Sequence, residues 1–145
     1  MADIAGAKST LKLISEQLGN VTDPVQSIDY RLMLAQFQCE LRDNDGVKAN
    51  IGALVQMLTG IEDLTALKAL IQDESAALDE SVIDESAIRS QLFRIYTMAS
   101  SLLTRAEASA EARSAFEKAK TLAESDSNPA RRAEKLLTLA QLLTQ

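Results

Sequence analysis

Histidine and tryptophan are missing from this sequence, cysteine occurs once, proline twice and glycine five times, and aromatic residues make up 3% of the chain. Each scarcity excludes something. Without histidine there is no imidazole to bind a metal, act as a general base or shuttle protons near neutral pH. The single cysteine, Cys39, can form neither an intramolecular disulfide nor a CxxC site. So little glycine and proline, in a chain this apolar, is incompatible with collagen-like and strongly disordered chains, and no apolar run approaches the ~20 residues of a membrane span.

What is present is a 145-residue chain that is 46% hydrophobic, chiefly Leu, Ala, Ile, Val and Met, and 25% charged. That length suits one ordinary domain able to bury roughly 70% of its unfolded surface. The net charge is -6, distributed as -2 over residues 1–60, -7 over 61–85 and +3 over 86–145. The acidic focus is Asp73, Glu74, Asp79, Glu80, Asp84 and Glu85, with Asp-Glu-Ser tripeptides starting at 73, 79 and 84. Their unequal spacing makes no structural repeat, but such a run attracts a basic partner surface if folding exposes it on one face. The start, Met1-Ala2-Asp3-Ile4, has neither the basic segment nor the apolar run of a secretory signal. Cytoplasmic placement is therefore expected, with export through a noncleaved address as the alternative.

Helical periodicity dominates. Ile4, Ala7, Leu11, Ile14 and Leu18, followed by Gly19-Asn20, predict a helix over about 3–18. Thr22-Asp23-Pro24 supplies a cap and a first-turn proline for a second helix over about 24–42. Asp43-Asn44-Asp45-Gly46 reads as a turn, after which Val47, Ile51, Leu54, Val55 and Leu58 give a short third helix. Thr59-Gly60-Ile61-Glu62 has the form of a capping box before a fourth helical pattern at Leu64, Leu67, Leu70, Ile71 and Leu78, and Ser81-Val82-Ile83-Asp84 offers another.

Ile88, Leu92, Ile95, Tyr96, Ala99, Leu102, Leu103 and Ala106 form the longest apolar stripe, widened by Phe93. From Thr104 through Ala115 the large apolar residues give way to alanine. This leaves strong helix propensity but little apparent core-forming power. Two forms fit: one projecting helix of about 40 residues, or two helices joined near 106–109. Asn128-Pro129 caps a terminal helix lined by Ala133, Leu136, Leu137, Ala140 and Leu143. The expected fold is an all-α, irregular bundle of five to seven helices. It forms either one domain over 1–145 or a 1–80 bundle with an 84–145 helical extension.

Chemistry is sparsely marked. Asp43-Asn44-Asp45-Gly46 fails as a calcium loop, because aligning Gly46 with the sixth position puts Leu41 first and Gly52 twelfth. Gly6-Ala7-Lys8-Ser9 lacks the GK dipeptide and longer cradle of a phosphate loop. Cys39 and the aromatics Tyr30, Phe37, Phe93, Tyr96 and Phe116 are assigned to packing. Arg105, Arg113, Lys118, Lys120, Arg131, Arg132 and Lys135 are interrupted by glutamates, which disfavours nucleic acid. No catalytic residue, cofactor, metal or small-molecule substrate site is assigned. The favoured function is non-catalytic protein–protein interaction or assembly, homo-oligomeric or adaptor-like, with Phe93, Tyr96, Met98, Leu102 and Leu103 as anchors. The alternative is an acidic helical regulator or inhibitor acting through the 73–85 acids.

Overall fold

The computed structural model describes residues 3–20, 24–60 and 85–144. Within them the chain is all-helical: α1 (Ile4–Leu18), α2 (Pro24–Glu40), α3 (Asn44–Gly60), α4 (Glu85–Arg105), α5 (Ser109–Glu124) and α6 (Pro129–Leu142), with no strand. The expected helix at 64–78, the capping box at 81–84, the Ile61-Glu62 half of the other box, the Thr22-Asp23 cap and the acids Asp73, Glu74, Asp79, Glu80 and Asp84 lie outside the described residues, whereas Thr59 and Gly60, expected to restart the chain, are the last two residues of α3. Glu85 begins α4.

Local chemistry explains the helix starts. Asp3 caps α1, its Oδ1 accepting from Gly6 N–H at 2.8 Å, and Asp43 caps α3 in the same way through Gly46 N–H at 3.1 Å. Both are Asp-Xaa-Xaa-Gly segments, and the glycine has a steric reason. A β-carbon at Gly6 would lie 2.8 Å from Asp3 Cγ, and one at Gly46 would overlap the Asp43 carboxylate and come within 2.6 Å of Gln38 Nε2. The segment expected to be a turn is thus a cap plus the first turn of a helix. That is why α3 is 17 residues long, as long as α2, rather than short.

Two corners share one design. Arg42 and Glu107 have φ of 57° and 62°. Arg42 N–H donates to Cys39 O and Asp43 N–H to Gln38 O, at 3.1 and 2.8 Å; Glu107 N–H donates to Thr104 O and Ala108 N–H to Leu103 O, at 3.1 and 2.9 Å. These are Schellman closures with a side-chain-bearing residue where glycine is usual. Each hands the chain directly into the next helix, α2 into α3 and α4 into α5. Residues 85–125 therefore form two helices, and the projecting 40-residue helix is not adopted.

The alanine segment is core. Ala112, Ala115, Ala119 and Ala123 are all buried on α5, and α4 with α5 makes the most extensive helix pairing among the described residues. Small side chains let the two backbones approach closely, and Ser100 Oγ donates across the seam to Ala112 O at 3.0 Å. One buried cluster joins Ile28 and Leu32 of α2, Val47, Ile51 and Leu54 of α3, Phe93, Tyr96 and Leu102 of α4, the α5 alanines and Leu139 of α6. A separate, smaller cluster of Leu11, Leu18 and Leu34 holds α1 on α2, with Leu41 against it.

α6 is fastened at its start by polar groups. Asn128 Oδ1 accepts from Ala130 and Arg131 N–H at 3.0 and 3.1 Å. Asp126 receives Lys135 Nζ at 2.9 Å, Asn128 N–H at 2.9 Å and Arg131 Nε at 3.5 Å. This buried carboxylate answers the charge of Arg131 at the positively polarised end of the helix. Of the apolar face expected on α6, Leu136, Leu137 and Leu143 are exposed, and Leu139 is the buried leucine.

Candidate functional site

The anchors expected on α4 are largely enclosed. Phe93, Tyr96, Leu102 and Leu103 are buried in the chain's own core, with Lys135 Nζ 5.7 Å from the Phe93 ring centre and Lys118 Nζ 5.5 Å from that of Tyr96. Met98 is half-buried and lines a shallow cleft with Gln36, Glu40 and Arg105. Several cations considered for nucleic acid are thereby engaged within the chain, Lys118 on Tyr96 and Lys135 and Arg131 at Asp126.

The large apolar side chains that face solvent lie elsewhere. On α2, Tyr30, Met33 and Phe37 are 49%, 55% and 57% exposed, whereas Ile28, Leu32 and Ala35 of the same helix are buried. Positions 30, 33 and 37 follow helical spacing and make one continuous stripe. Tyr30 and Phe37, expected in the core, are thus turned outward. Ile14 of α1 is 44% exposed and, by helical spacing, lies on the flank of α1 opposite Lys8 and Lys12. Asp29 and Glu40, both exposed, border the α2 stripe. Sequence alone carried one signal for this surface, since α2 holds more large apolar residues than one buried face accommodates.

On the other flank, α1, α2 and the start of α3 enclose a groove of about 320 Å³. Lys8, Lys12 and Arg31 line it together with Gln38, Asp43 and Gly46. Arg31 is held in place, its Nη1 donating to Asn50 Oδ1 at 3.1 Å while Asn50 Nδ2 donates to Arg31 O at 2.7 Å. Two buried polar atoms here have no hydrogen-bond partner, Arg31 Nε and Gln38 Oε1.

Cys39 is half-buried and its thiol donates to Leu102 O at 3.6 Å, joining α2 to α4. Burial pushes its pKa up, outweighing the nearby Arg105, so it is held as a thiol and not a nucleophilic thiolate. Among the described residues no group of three His, Cys, Asp or Glu side chains is placed to hold a metal ion, and no helix is long and apolar enough to cross a membrane. No family model, curated protein or solved structure matches the chain.

Proposed function

We propose that the chain is a non-catalytic protein-interaction module whose contact surface is the exposed stripe Tyr30, Met33 and Phe37 on α2. The observation that carries this reading is the two-sided character of α2, with one apolar face in the core and a second, rich in aromatic and methionine side chains, in solvent. Tyr, Phe and Met are enriched at interface centres, and a stripe of this spacing fits an amphipathic partner helix. The occupant proposed is a helix of another protein with Lys or Arg flanking its apolar face. Asp29 and Glu40 would lie across from such cations, whereas a second copy of α2 would set acid against acid.

The test uses two synthetic amphipathic peptides that share one leucine face, one flanked by lysines and the other by glutamates. The lysine peptide is expected to bind and the glutamate peptide not. Phe37→Ser and Met33→Ser should abolish binding without changing helicity or the melting midpoint, because these side chains contribute little to the core. Equal binding of both peptides, or binding unaffected by Phe37→Ser, overturns the proposal. So does concentration-dependent dimerisation in light scattering that Phe37→Ser removes, which would make a second copy the occupant.

A further inference from the structure

The groove between α1, α2 and α3 stands apart from the exposed stripe of α2, and its chemistry is polar. Three cations line it, Lys8, Lys12 and Arg31, against one carboxylate, Asp43. Neither Lys8 nor Lys12 is paired with a carboxylate among the described residues. Gln38 is only 5% exposed, yet its Oε1 lacks a donor, and Arg31 Nε lacks an acceptor. Leaving such atoms unsatisfied costs stability, and both side chains line the groove. The soft terminal torsion of Gln38 lets its amide oxygen turn toward a donor that enters there. Gly46 keeps the floor open, since any β-carbon there would strike the Asp43 carboxylate and the Gln38 amide.

The complement of this lining is specific. It needs anionic oxygens for Lys8, Lys12 and Arg31, and a cationic donor for Gln38 Oε1 and the Asp43 oxygen not committed to Gly46 N–H. We propose that the groove binds a small amino dicarboxylate, its two carboxylates on the lysines and Arg31 and its ammonium between Gln38 and Asp43. A plain dicarboxylate leaves both acceptors unanswered. A simple amine leaves the three cations unanswered.

The experiment is a titration of the full chain by ¹H–¹⁵N NMR at constant ionic strength, with glutamate and with glutarate, which is glutamate without its ammonium. Glutamate is expected to shift the Arg31 Nε–H and Gln38 side-chain amide signals saturably. Glutarate should bind at least about fivefold more weakly, the low end for leaving a buried acceptor unpaired. Lys8→Gln/Lys12→Gln, at two exposed positions that leave the fold intact by circular dichroism, should weaken glutamate about tenfold, as expected for lost charge-assisted contacts. Equal affinity for the two ligands, affinity unchanged in the double variant, or no movement of the Arg31 and Gln38 signals each overturns the proposal.

Discussion

Asp43 and Gly46 act as a pair: the carboxylate that caps α3 occupies the space a side chain at 46 would need. Gly46→Ala should therefore destabilise the chain by about 1 kcal/mol, the loss of a cap outweighing the better helix propensity of alanine. Gly52 lies in the same helix with nothing near its missing β-carbon, so Gly52→Ala should stabilise by about 0.5–1 kcal/mol. Urea unfolding of the two variants checks the pair, and the same sign for both would refute the steric account. Asp126 yields a pH prediction. The hydrogen bond from Lys135, then that from Asn128 N–H, hold its pKa down at about 2, below an unfolded value of about 3.9. Its contribution to stability is thus complete above about pH 4 and is lost as the pH falls toward about 2. The melting midpoint of the parent should exceed that of Asp126→Asn at neutral pH, and the gap should close over that acid range. A gap that stays constant with pH would show that the ionised carboxylate is not what matters.

At the scale of elements, the α4–α5 pair depends on smallness. Ala119 is fully enclosed, so Ala119→Leu should cost about 1–3 kcal/mol by overpacking, while Ala110→Leu, at an exposed position of α5, should change stability little. Thermal unfolding separates them. This seam also marks how far sequence reasoning reached. The start of α6 and the proline that opens α2 are legible, because caps and prolines act within four residues of themselves, while α1 is legible from its apolar spacing and not from its Asp3 cap. In sequence the alanines of α5 look like weak core material, because their contribution depends on a neighbouring backbone coming close, which is a property of the pair. Asp43-Asn44-Asp45-Gly46 resembles a turn for a related reason: Asp and Gly serve turns and helix starts alike, and Arg42, closing α2 one residue earlier, decides between them. Of the candidate site little was legible. Periodicity shows that α2 and α4 have apolar faces, but not that Phe93 and Tyr96 turn inward while Tyr30 and Phe37 turn outward.

For the whole molecule, stability is unevenly distributed. The main cluster runs from Ile28 to Leu139, whereas α1 rests on α2 through a few leucines. Leu54→Ala, at a fully buried position, should lower global stability by about 3–4 kcal/mol. Leu11→Ala should instead speed amide exchange in α1 while leaving protection in α3 and α5 unchanged. Faster exchange throughout the chain in Leu11→Ala would mean that α1 unfolds only with the rest. Because α1 contributes Lys8 and Lys12 to the groove, such local opening would also separate the lysines from Arg31 and Gln38.

The two Schellman corners bear on which changes of length the chain tolerates. At Arg42 and Glu107 the closing residue of one helix is followed at once by the cap of the next, so no slack exists there to absorb an insertion. One residue added at either place breaks the closing hydrogen bonds. If the following helix takes it up, every side chain of that helix turns by about 100° about its axis, carrying Val47, Ile51 and Leu54, or the α5 alanines, away from the core. Reading frame at these corners is therefore as much a determinant of the fold as the residues of the core themselves, and natural variation in length should be confined to other parts of the chain.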